Sequence, residues 1–237
     1  MLQTPVVHKR TSRVIFFDLD QTLVQSAAPT REPLYEVLFR RVQERNPSVY
    51  NNYEQFKQLC VDLSVRHNGN ARGWQTLLKL PDSWTYSIYE EAAVPMAQAV
   101  SKACSADQKV IDELKENRNR GINQFIFTQS TKSYCDIVLP HLGLDDIFDP
   151  WQVLHVNWAG NKLKTDEEIY RQLFTIPEVR HATLHDLVDD NLHNLRAGSK
   201  YGGCRGWLNG GKLPEDMRPY VFQHHPHIHN TLSALVA

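Results

Sequence analysis

The fold of this chain is decided by one stretch near its start: Val14-Ile15-Phe16-Phe17-Asp18-Leu19-Asp20-Gln21-Thr22-Leu23-Val24. Its first four residues are all apolar, which is typical of a strand that is buried on both faces of a sheet. The strand runs directly into two carboxylates, Asp18 and Asp20. Open α/β sheets place their reactive groups at the carboxyl ends of parallel strands. The stretch therefore predicts a functional site at this end of a parallel sheet.

Asp18 and Asp20 are close enough in sequence to share one site. Two carboxylates so placed repel each other unless a cation or a proton lies between them. A divalent metal removes that repulsion, and oxygen ligands of this kind suit Mg²⁺. The alternative is an ordinary strand end with solvated acids, because Asp is also common at turns. The rest of the sequence has to decide between the two.

A second apolar strand, Phe125–Phe127, also ends in polar side chains, since Thr128 and Gln129 follow it directly. A hydroxyl and the neighbouring backbone N–H groups can hold the oxygens of a transferring phosphoryl group. A threonine hydroxyl can instead satisfy its own backbone. Both interpretations of Thr128 are open from the sequence alone.

Two later segments supply a cation and two further acids. Lys164 precedes a predicted helix that begins with acidic residues, and Lys162 is the competing candidate. The apolar strand Leu184–Val188 runs into Asp189 and Asp190. A compact ammonium group can neutralise both a carboxylate and a phosphate, and Mg²⁺ needs few protein carboxylates.

Taken in order, these four segments resemble the haloacid dehalogenase superfamily of phosphatases, and the resemblance runs from Val14 to Asn194. It implies that Asp18 is a nucleophile that forms an aspartyl phosphate. It implies that Asp20 first protonates the leaving alcohol and then activates water. Dehalogenases of the superfamily lack an acid at the position of Asp20, so the resemblance argues against carbon–halogen cleavage.

The same resemblance implies which residues bind phosphate and metal. Those for phosphate are Thr128, Gln129 (where related sequences often carry Asn) and Lys164. Those for Mg²⁺ are Asp18, the backbone carbonyl of Asp20, and one or both of Asp189 and Asp190. Thr165 is a departure, because the family usually has Pro there. Asn194 is expected to orient its loop, and Asp186 to be an ordinary polar strand residue.

The spacing of apolar residues predicts an α/β fold with a doubly wound, mainly parallel sheet. After Val24 only helical patterns follow, so residues 25–104 are predicted to form an α-helical cap. Residues 1–24 and 105–237 are predicted to form the catalytic core, where helices and strands alternate. The pattern predicts a third strand over Trp151–Val156 and short final strands over 205–208 and 220–222. Thr165 and Glu168 predict a capping box for the helix after Lys164.

Composition sets the broad class of the protein. The chain has 237 residues, 41% hydrophobic and 22% charged, with a formal net charge of −1. Its Lys and Arg form no basic stripe, so a nucleic-acid polymer is not an expected partner, and no apolar run is long enough to span a membrane. The four scattered cysteines predict free thiols in a reducing compartment. The expected location is the cytoplasm.

The segment from His224 to His229 contains four histidines, with Pro226 among them. A zinc site is one interpretation. A solvated tail segment that binds metal weakly is the favoured one, because Pro226 disrupts helical spacing and no Cys or acid is adjacent.

The resemblance implies a Mg²⁺-dependent phosphomonoester hydrolase whose substrate is a small phosphorylated metabolite. The order of elements is closest to the pyrimidine 5′-nucleotidase-like branch, which favours a nucleoside 5′-monophosphate. Aromatic residues of the predicted cap either stack on a planar leaving group or pack the cap; they are Trp74, Trp84, Tyr86 and Tyr89. Two alternatives stay open: a phosphotransferase or phosphomutase, and a non-catalytic phospholigand-binding domain.

Overall fold

The structure of the chain, a computed structural model, describes residues 13–25, 28–45, 51–67, 73, 76–77 and 82–236. Trp74, one of the aromatic residues of the predicted cap, lies outside the described residues.

Six parallel strands form one sheet in the order β3-β2-β1-β4-β5-β6. The strands are β1 Arg13–Phe17, β2 Asn123–Phe127, β3 Val153–Leu154, β4 Leu184–Asp189, β5 Arg205–Asn209 and β6 Gln223–His225. The first strand lies in the middle, where Phe17 is aligned with Ile126 of β2 and with Val188 of β4. This register brings the carboxyl ends of β1, β2 and β4 together. The predicted parallel, doubly wound sheet is confirmed.

Both faces of the sheet are buried, which explains the continuous apolar run in β1. Ile15 and Phe17 contribute to one hydrophobic core, and Val14 and Phe16 contribute to the core on the opposite face. The helices that follow residue 104 are α4 Gln108–Asn119, α5 Lys132–His141, α6 Glu167–Leu173, α7 Pro177–Arg180, α8 Leu192–Gly202 and α9 Ile228–Val236. Helices α4, α5 and α9 cover the first face, and α6, α7 and α8 cover the second.

Between β1 and residue 104 the described residues form the helices α1 Glu32–Arg45, α2 Tyr53–His67 and α3 Asp82–Ala103, preceded by a 3-10 helix over Ala28–Arg31. They share a core of their own, to which α3 contributes Ile88 and Ala92. The later part of α3 packs differently, because Ala97 and Val100 belong to the core against the sheet. Helix α3 also runs through Pro95 without ending there. The 3-10 helix and the helices α1, α2 and α3 are called the helical insert below; the exact domain boundary at residue 104 stays a prediction.

Two predicted strands are wrong in extent. Residues Pro150–Gln152 form a 3-10 helix, so β3 shrinks to Val153–Leu154 at one edge of the sheet. At the other edge, a 3-10 helix over Glu215–Tyr220 includes the first residue of the strand predicted over 220–222. Strand β6 begins only at Gln223. Edge strands pair on one side only, and their apolar signal is correspondingly weak.

The predicted capping box before α6 is also wrong. The residue that precedes the first turn is Asp166, whose carboxylate accepts a hydrogen bond from the Leu163 N–H at 2.9 Å. The buried hydroxyl oxygen of Thr165 has no hydrogen-bond partner in the described structure. Glu168 instead pairs with Lys162, with 2.6 Å between Nζ and the carboxylate. The helix thus begins one residue later than the pattern predicts, and Glu168 contacts a neighbouring lysine instead of the N-cap backbone.

Two further features of the described chain bear on the sequence-based expectations. The described helices include none that is both long and apolar enough to cross a membrane. The four cysteines are free thiols, as their scattered positions predict.

Asp186 joins three strands at the middle of β4. Its fully buried carboxylate accepts hydrogen bonds from Arg13 of β1 at 2.7 Å, and from Arg205 (2.8 Å) and Trp207 (2.6 Å) of β5. It lies within the strand, as expected, and apart from Asp18, Asp189 and Asp190 at the strand ends. The bonds to two arginines make it a structural link rather than an ordinary polar residue.

We expect Asp186→Ala to lower the free energy of unfolding by about 3 kcal/mol, because it removes the acceptor from two partly buried guanidinium groups and a buried indole N–H. Urea unfolding measures the change. Asp136→Ala is the matched control: its pair with Lys132 is exposed, so a change within about 0.5 kcal/mol is expected. Equal effects of the two substitutions would contradict a structural role for Asp186.

Candidate active site

The reactive segment is a tight turn that follows β1. The backbone N–H of Asp18 donates to the carbonyl of Val188 at 2.8 Å, so the pairing with β4 extends to this residue. The chain then turns back, and the N–H of Val24 donates to the carbonyl of Leu19 at 2.9 Å. Gln21 adopts a positive φ of 63° within the turn. The buried side chains of Leu19 and Val24 anchor the turn, which leaves the two acids at the carboxyl edge of the sheet.

Lys164 lies in the centre of this edge. Its ammonium group donates to the carboxylate of Asp18 and, at 2.8 Å, to that of Asp189. The side chain is only 1% exposed. Burial by itself lowers the pKa of Lys164, but the carboxylates of Asp18 and Asp189 outweigh it and raise that pKa. Lys162, the competing candidate, is partly exposed and pairs with Glu168 instead, so the geometry favours Lys164.

Asp189 ends β4 and is held by the start of α8. Its carboxylate accepts hydrogen bonds from the Asn191 N–H at 2.8 Å and from the Asn194 side chain at 3.1 and 3.2 Å. Asn191 in turn caps α8 by accepting the His193 N–H at 2.9 Å. The predicted orienting role of Asn194 thus falls on the carboxylate of Asp189.

Asp18, Asp189 and Asp190 form the acidic cluster. One carboxylate oxygen from each lies within 4.8 Å of the others. Burial raises the pKa of Asp18 well above its usual value; Lys164 opposes this shift, and the two neighbouring acids add to it. Burial and Asp189 raise the pKa of Asp190 to about 7. Three acids face the ammonium of Lys164 and the more distant guanidinium of Arg31, so the cluster has a deficit of positive charge that a divalent cation bound by carboxylate oxygens would remove.

Arg31 is a further cation near the cluster that sequence reasoning missed. It ends the 3-10 helix at the start of the helical insert and lies close enough to lower the pKa of Asp190. The insert therefore contributes positive charge beside the acids. The only signal in the sequence was its position shortly after the reactive turn.

Asp20 is held differently from Asp18. The hydroxyl of Tyr134 donates to its Oδ1 at 2.6 Å, and the hydroxyl of Ser130 donates to its Oδ2 at 2.5 Å. Tyr134 lies on the buried face of α5 and is 2% exposed. Burial and the nearby carboxylate raise the pKa of Tyr134, so the phenol stays protonated. Nothing in the sequence indicated this contact between Tyr134 and Asp20.

Thr128 and Gln129 follow β2 at the same edge. Thr128 is buried, its N–H donates to the carbonyl of Leu154 at 3.0 Å, and its Oγ1 accepts the N–H of Ser130 at 3.0 Å. The Thr128 hydroxyl oxygen thus accepts a bond from the nearby backbone, which was one of the two interpretations of this residue. Its proton can still be donated to a ligand. Gln129 is exposed. The phosphate-binding role of both residues stays a prediction.

The aromatic residues of the insert are divided between two surroundings. Trp84 and Tyr89 pack against the insert's own hydrophobic core, and the guanidinium of Arg45 lies 5.5 Å from the centre of a Trp84 ring. Tyr86 is partly exposed. Packing of the insert accounts for Trp84 and Tyr89.

The histidine-rich segment is not a tail. His224 and His225 lie in the edge strand β6, and His229 lies in the first turn of α9. His229 is 3.1 Å from the carboxylate of Asp107, an acid that is remote in sequence. Among the described residues, the only cluster of three metal-ligating side chains is the acidic one at the strand ends.

Comparison with solved structures places the chain in a known fold class. In all, 135 chains of solved structures match it, and those named below share its α/β, haloacid dehalogenase-like fold. No protein-family model and no curated protein match the sequence itself.

Three of the similar structures illustrate the range of this fold. A putative β-phosphoglucomutase from Thermotoga maritima is 18% identical (TM-score 0.58), and the match covers 94% of this chain and 98% of that one. The putative HAD-hydrolase YfnB from Bacillus subtilis, bound to magnesium, is 15% identical (TM-score 0.59), with 96% and 100% covered. The L-2-haloacid dehalogenase RSc1362 is 16% identical (TM-score 0.62), also with 96% and 100% covered. Identities this low establish the fold only.

The contrast between Lys164 and Lys162 gives a direct test of the buried ion pairs. We expect Lys164→Met to lower the free energy of unfolding without divalent cations by about 3 kcal/mol, because Asp18 and Asp189 lose their counter-charge. Added Mg²⁺ should then stabilise this variant more than it stabilises the unsubstituted protein. Lys162→Met should change neither quantity. Thermal and urea unfolding with and without Mg²⁺ measure both, and identical behaviour of the two variants would contradict the central place of Lys164.

The raised pKa of Asp190 predicts competition between protons and the cation. Above about pH 7 its carboxylate is free to bind, while below that pH a proton occupies it. We therefore expect the apparent affinity for Mg²⁺ to fall as the pH falls from 7 to 5.5, approaching about tenfold per pH unit for one displaced proton. Calorimetric titration at several pH values measures the slope. Asp190→Asn should flatten it; an affinity that is constant over this range would contradict the assignment.

Proposed function

We propose that the protein is a Mg²⁺-dependent phosphomonoester hydrolase that acts through an aspartyl phosphate on Asp18. One observation carries the proposal: the buried ammonium of Lys164 joins Asp18 to Asp189 at the carboxyl ends of adjacent central strands. A nucleophile, its counter-charge and an acidic pair thus converge at the place where open α/β sheets bind their ligands.

In the first step a carboxylate oxygen of Asp18 attacks phosphorus. The bond between phosphorus and the leaving oxygen breaks, and Asp20 gives its proton to that oxygen, so that an alcohol departs. Lys164 neutralises charge on the nucleophile and on the phosphoryl oxygens, and Thr128 donates its hydroxyl proton to one of those oxygens.

In the second step water attacks the phosphorus of the aspartyl phosphate. Asp20, now a carboxylate, takes a proton from that water while the bond between Asp18 and phosphorus breaks. Inorganic phosphate leaves, and both acids return to their starting protonation states. A bulky or poorly placed acid at position 20 would stop both steps, because the same group serves in each.

The residues suited to hold Mg²⁺ are Asp18, Asp189 and Asp190, with the backbone carbonyl of Asp20 as a further ligand. Bound there, the cation offsets the charge of the acids and of the phosphoryl group. The fit rests on the charge deficit of the acidic cluster and on its oxygen ligands.

The proposed substrate class is a small phosphorylated metabolite, with a nucleoside 5′-monophosphate as the first choice. The core groups touch only the phosphoryl group, so the leaving group has to be recognised by the helical insert. Arg31 is the best supported contact from the insert, because it lies near Asp190. Tyr86, which is partly exposed, is the remaining aromatic candidate.

Dehalogenases share the fold, but the presence of Asp20 argues for phosphoryl chemistry. A phosphomutase or phosphotransferase would use the same core and would pass the phosphoryl group to an acceptor other than water. The similar structures include a putative β-phosphoglucomutase, so an acceptor sugar belongs in the assay beside the hydrolysis of nucleoside and sugar phosphates.

We expect Asp18→Asn to lower kcat by at least about a thousandfold with Mg²⁺ present, because the amide has nearly the same shape but is a poor nucleophile. Phosphate release from a panel of phosphomonoesters measures the rate, and urea unfolding verifies that the fold is kept. Acid quenching should trap a phosphorylated protein only when Asp18 is intact. A variant that keeps more than a few per cent of the rate, or binding of phosphoesters with no turnover by the unsubstituted protein, would overturn the proposal.

A further inference from the structure

Asp20 is the group that distinguishes phosphoryl chemistry from other chemistries of this fold, and both its carboxylate oxygens are engaged by hydroxyl groups from outside the reactive turn. We propose that Tyr134 is a positioning residue for Asp20: its hydroxyl fixes the orientation of the carboxyl group by holding Oδ1, and leaves Oδ2 to the hydroxyl of Ser130. The proposal rests on the proposed function, in which Asp20 is the proton donor to the leaving group.

The two hydroxyl groups are not equivalent partners. The phenol of Tyr134 lies on the buried face of a helix, 2% exposed, and reaches Oδ1 at 2.6 Å. Because its raised pKa keeps the phenol protonated, Tyr134 donates to Oδ1 in the structure. The carboxyl group is therefore held at Oδ1 by a buried side chain, and its second oxygen, Oδ2, is the one that meets the partly exposed Ser130.

Ser130 complements this arrangement because its hydroxyl can rotate. It donates to Oδ2 at 2.5 Å when the carboxyl group is ionised, and it can accept from Oδ2 when the proton is there. Ser130 is partly exposed and its own N–H is tied to Thr128 at 3.0 Å. A rotating partner on Oδ2 and a fixed donor on Oδ1 allow the proton to come and go without movement of the carboxyl group.

Packing gives Tyr134 the rigidity that positioning requires. Thr131 caps α5, with its hydroxyl oxygen accepting the Tyr134 N–H at 3.4 Å. The neighbouring Cys135 and Val138 belong to the same buried core as Tyr134. Asp20 itself sits on a turn, so the contact with α5 ties it to a rigid element of the core. Holding a reacting group in place in this way is a large part of enzymatic rate enhancement.

Tyr134→Phe tests the proposal because it removes one hydroxyl and keeps the ring. We expect kcat/KM for alkyl phosphates, such as nucleoside and sugar monophosphates, to fall by about 10- to 100-fold, since general acid catalysis contributes on this scale. For p-nitrophenyl phosphate, whose leaving group departs as a stable anion, the fall should be less than about threefold. The ratio kcat/KM reports on formation of the aspartyl phosphate, the step in which the leaving group needs its proton.

The matched control is Tyr53→Phe. Tyr53 donates to the carboxylate of Glu32 at 2.6 Å, the same kind of bond at the same length, but inside the helical insert. We expect it to leave the ratio between alkyl and p-nitrophenyl substrates unchanged. A second experiment introduces Tyr134→Phe into the Asp20→Asn variant and compares the double variant with Asp20→Asn alone. We expect no further loss of rate on alkyl phosphates, because Tyr134 acts through Asp20.

The proposal is overturned if Tyr134→Phe slows both substrate types equally, or if it slows alkyl phosphates by the same factor with and without Asp20. A crystal structure of Tyr134→Phe gives a readout that does not need turnover: Asp20 should lose its single orientation, and a carboxyl group that stays in place overturns the proposal as well. Failure of the proposed function is distinct, since it would appear as no hydrolysis of any ester by the unsubstituted protein.

Discussion

The ammonium of Lys164 is buried between two carboxylates, and the rest of the site depends on that contact. Removing a lysine and two acids from water is costly, so the arrangement is tolerable only where the groups meet with good geometry and further hydrogen bonds. The parallel register provides the geometry by bringing the ends of β1 and β4 together. Asn191 and Asn194 supply further hydrogen bonds to Asp189. What remains is an excess of negative charge around Asp190, and this excess is the physical reason to expect a divalent cation.

The central strands could be predicted from the sequence, because burial on both faces of a sheet requires a continuous run of apolar residues. In β1 every residue from Val14 to Phe17 is buried, so the apolar run needs no knowledge of its neighbours. The two edge strands have no such run. β3 has only two residues. β6 contains His224 and His225, which belong to the segment that was expected to be a solvated tail. The predicted capping box is wrong although Glu168 fits the local sequence pattern, because the carboxylate of Glu168 pairs with Lys162 instead.

The acids and Lys164 were found from sequence because each follows a strand or precedes a helix at a recognisable point. Their partners were not, because those contacts join residues far apart in the chain. Tyr134 lies 114 positions from the acid that it contacts, and on α5 it follows the same helical spacing as the purely apolar core residues. Arg31 belongs to no sequence motif, and only its position shortly after the reactive turn sets it apart. Sequence reasoning thus locates reactive groups better than it locates the groups that hold them.

The fold is shared by proteins named as a mutase, a magnesium-bound hydrolase and a dehalogenase, so it does not choose the chemistry. The choice falls to the second acid and to what surrounds it. Asp18 is paired with the ammonium of Lys164, which opposes the rise that burial causes in the pKa of this acid and so favours the ionised form that the proposed nucleophile needs. Within the described part of the chain, the carboxylate of Asp20 is held instead by two neutral hydroxyl groups, those of Tyr134 and Ser130. Neutral partners allow a carboxyl group to gain and lose a proton without breaking an ion pair. Two acids two residues apart are thereby placed in different surroundings by their partners, and that difference is what supports the phosphoryl chemistry that we propose for this site.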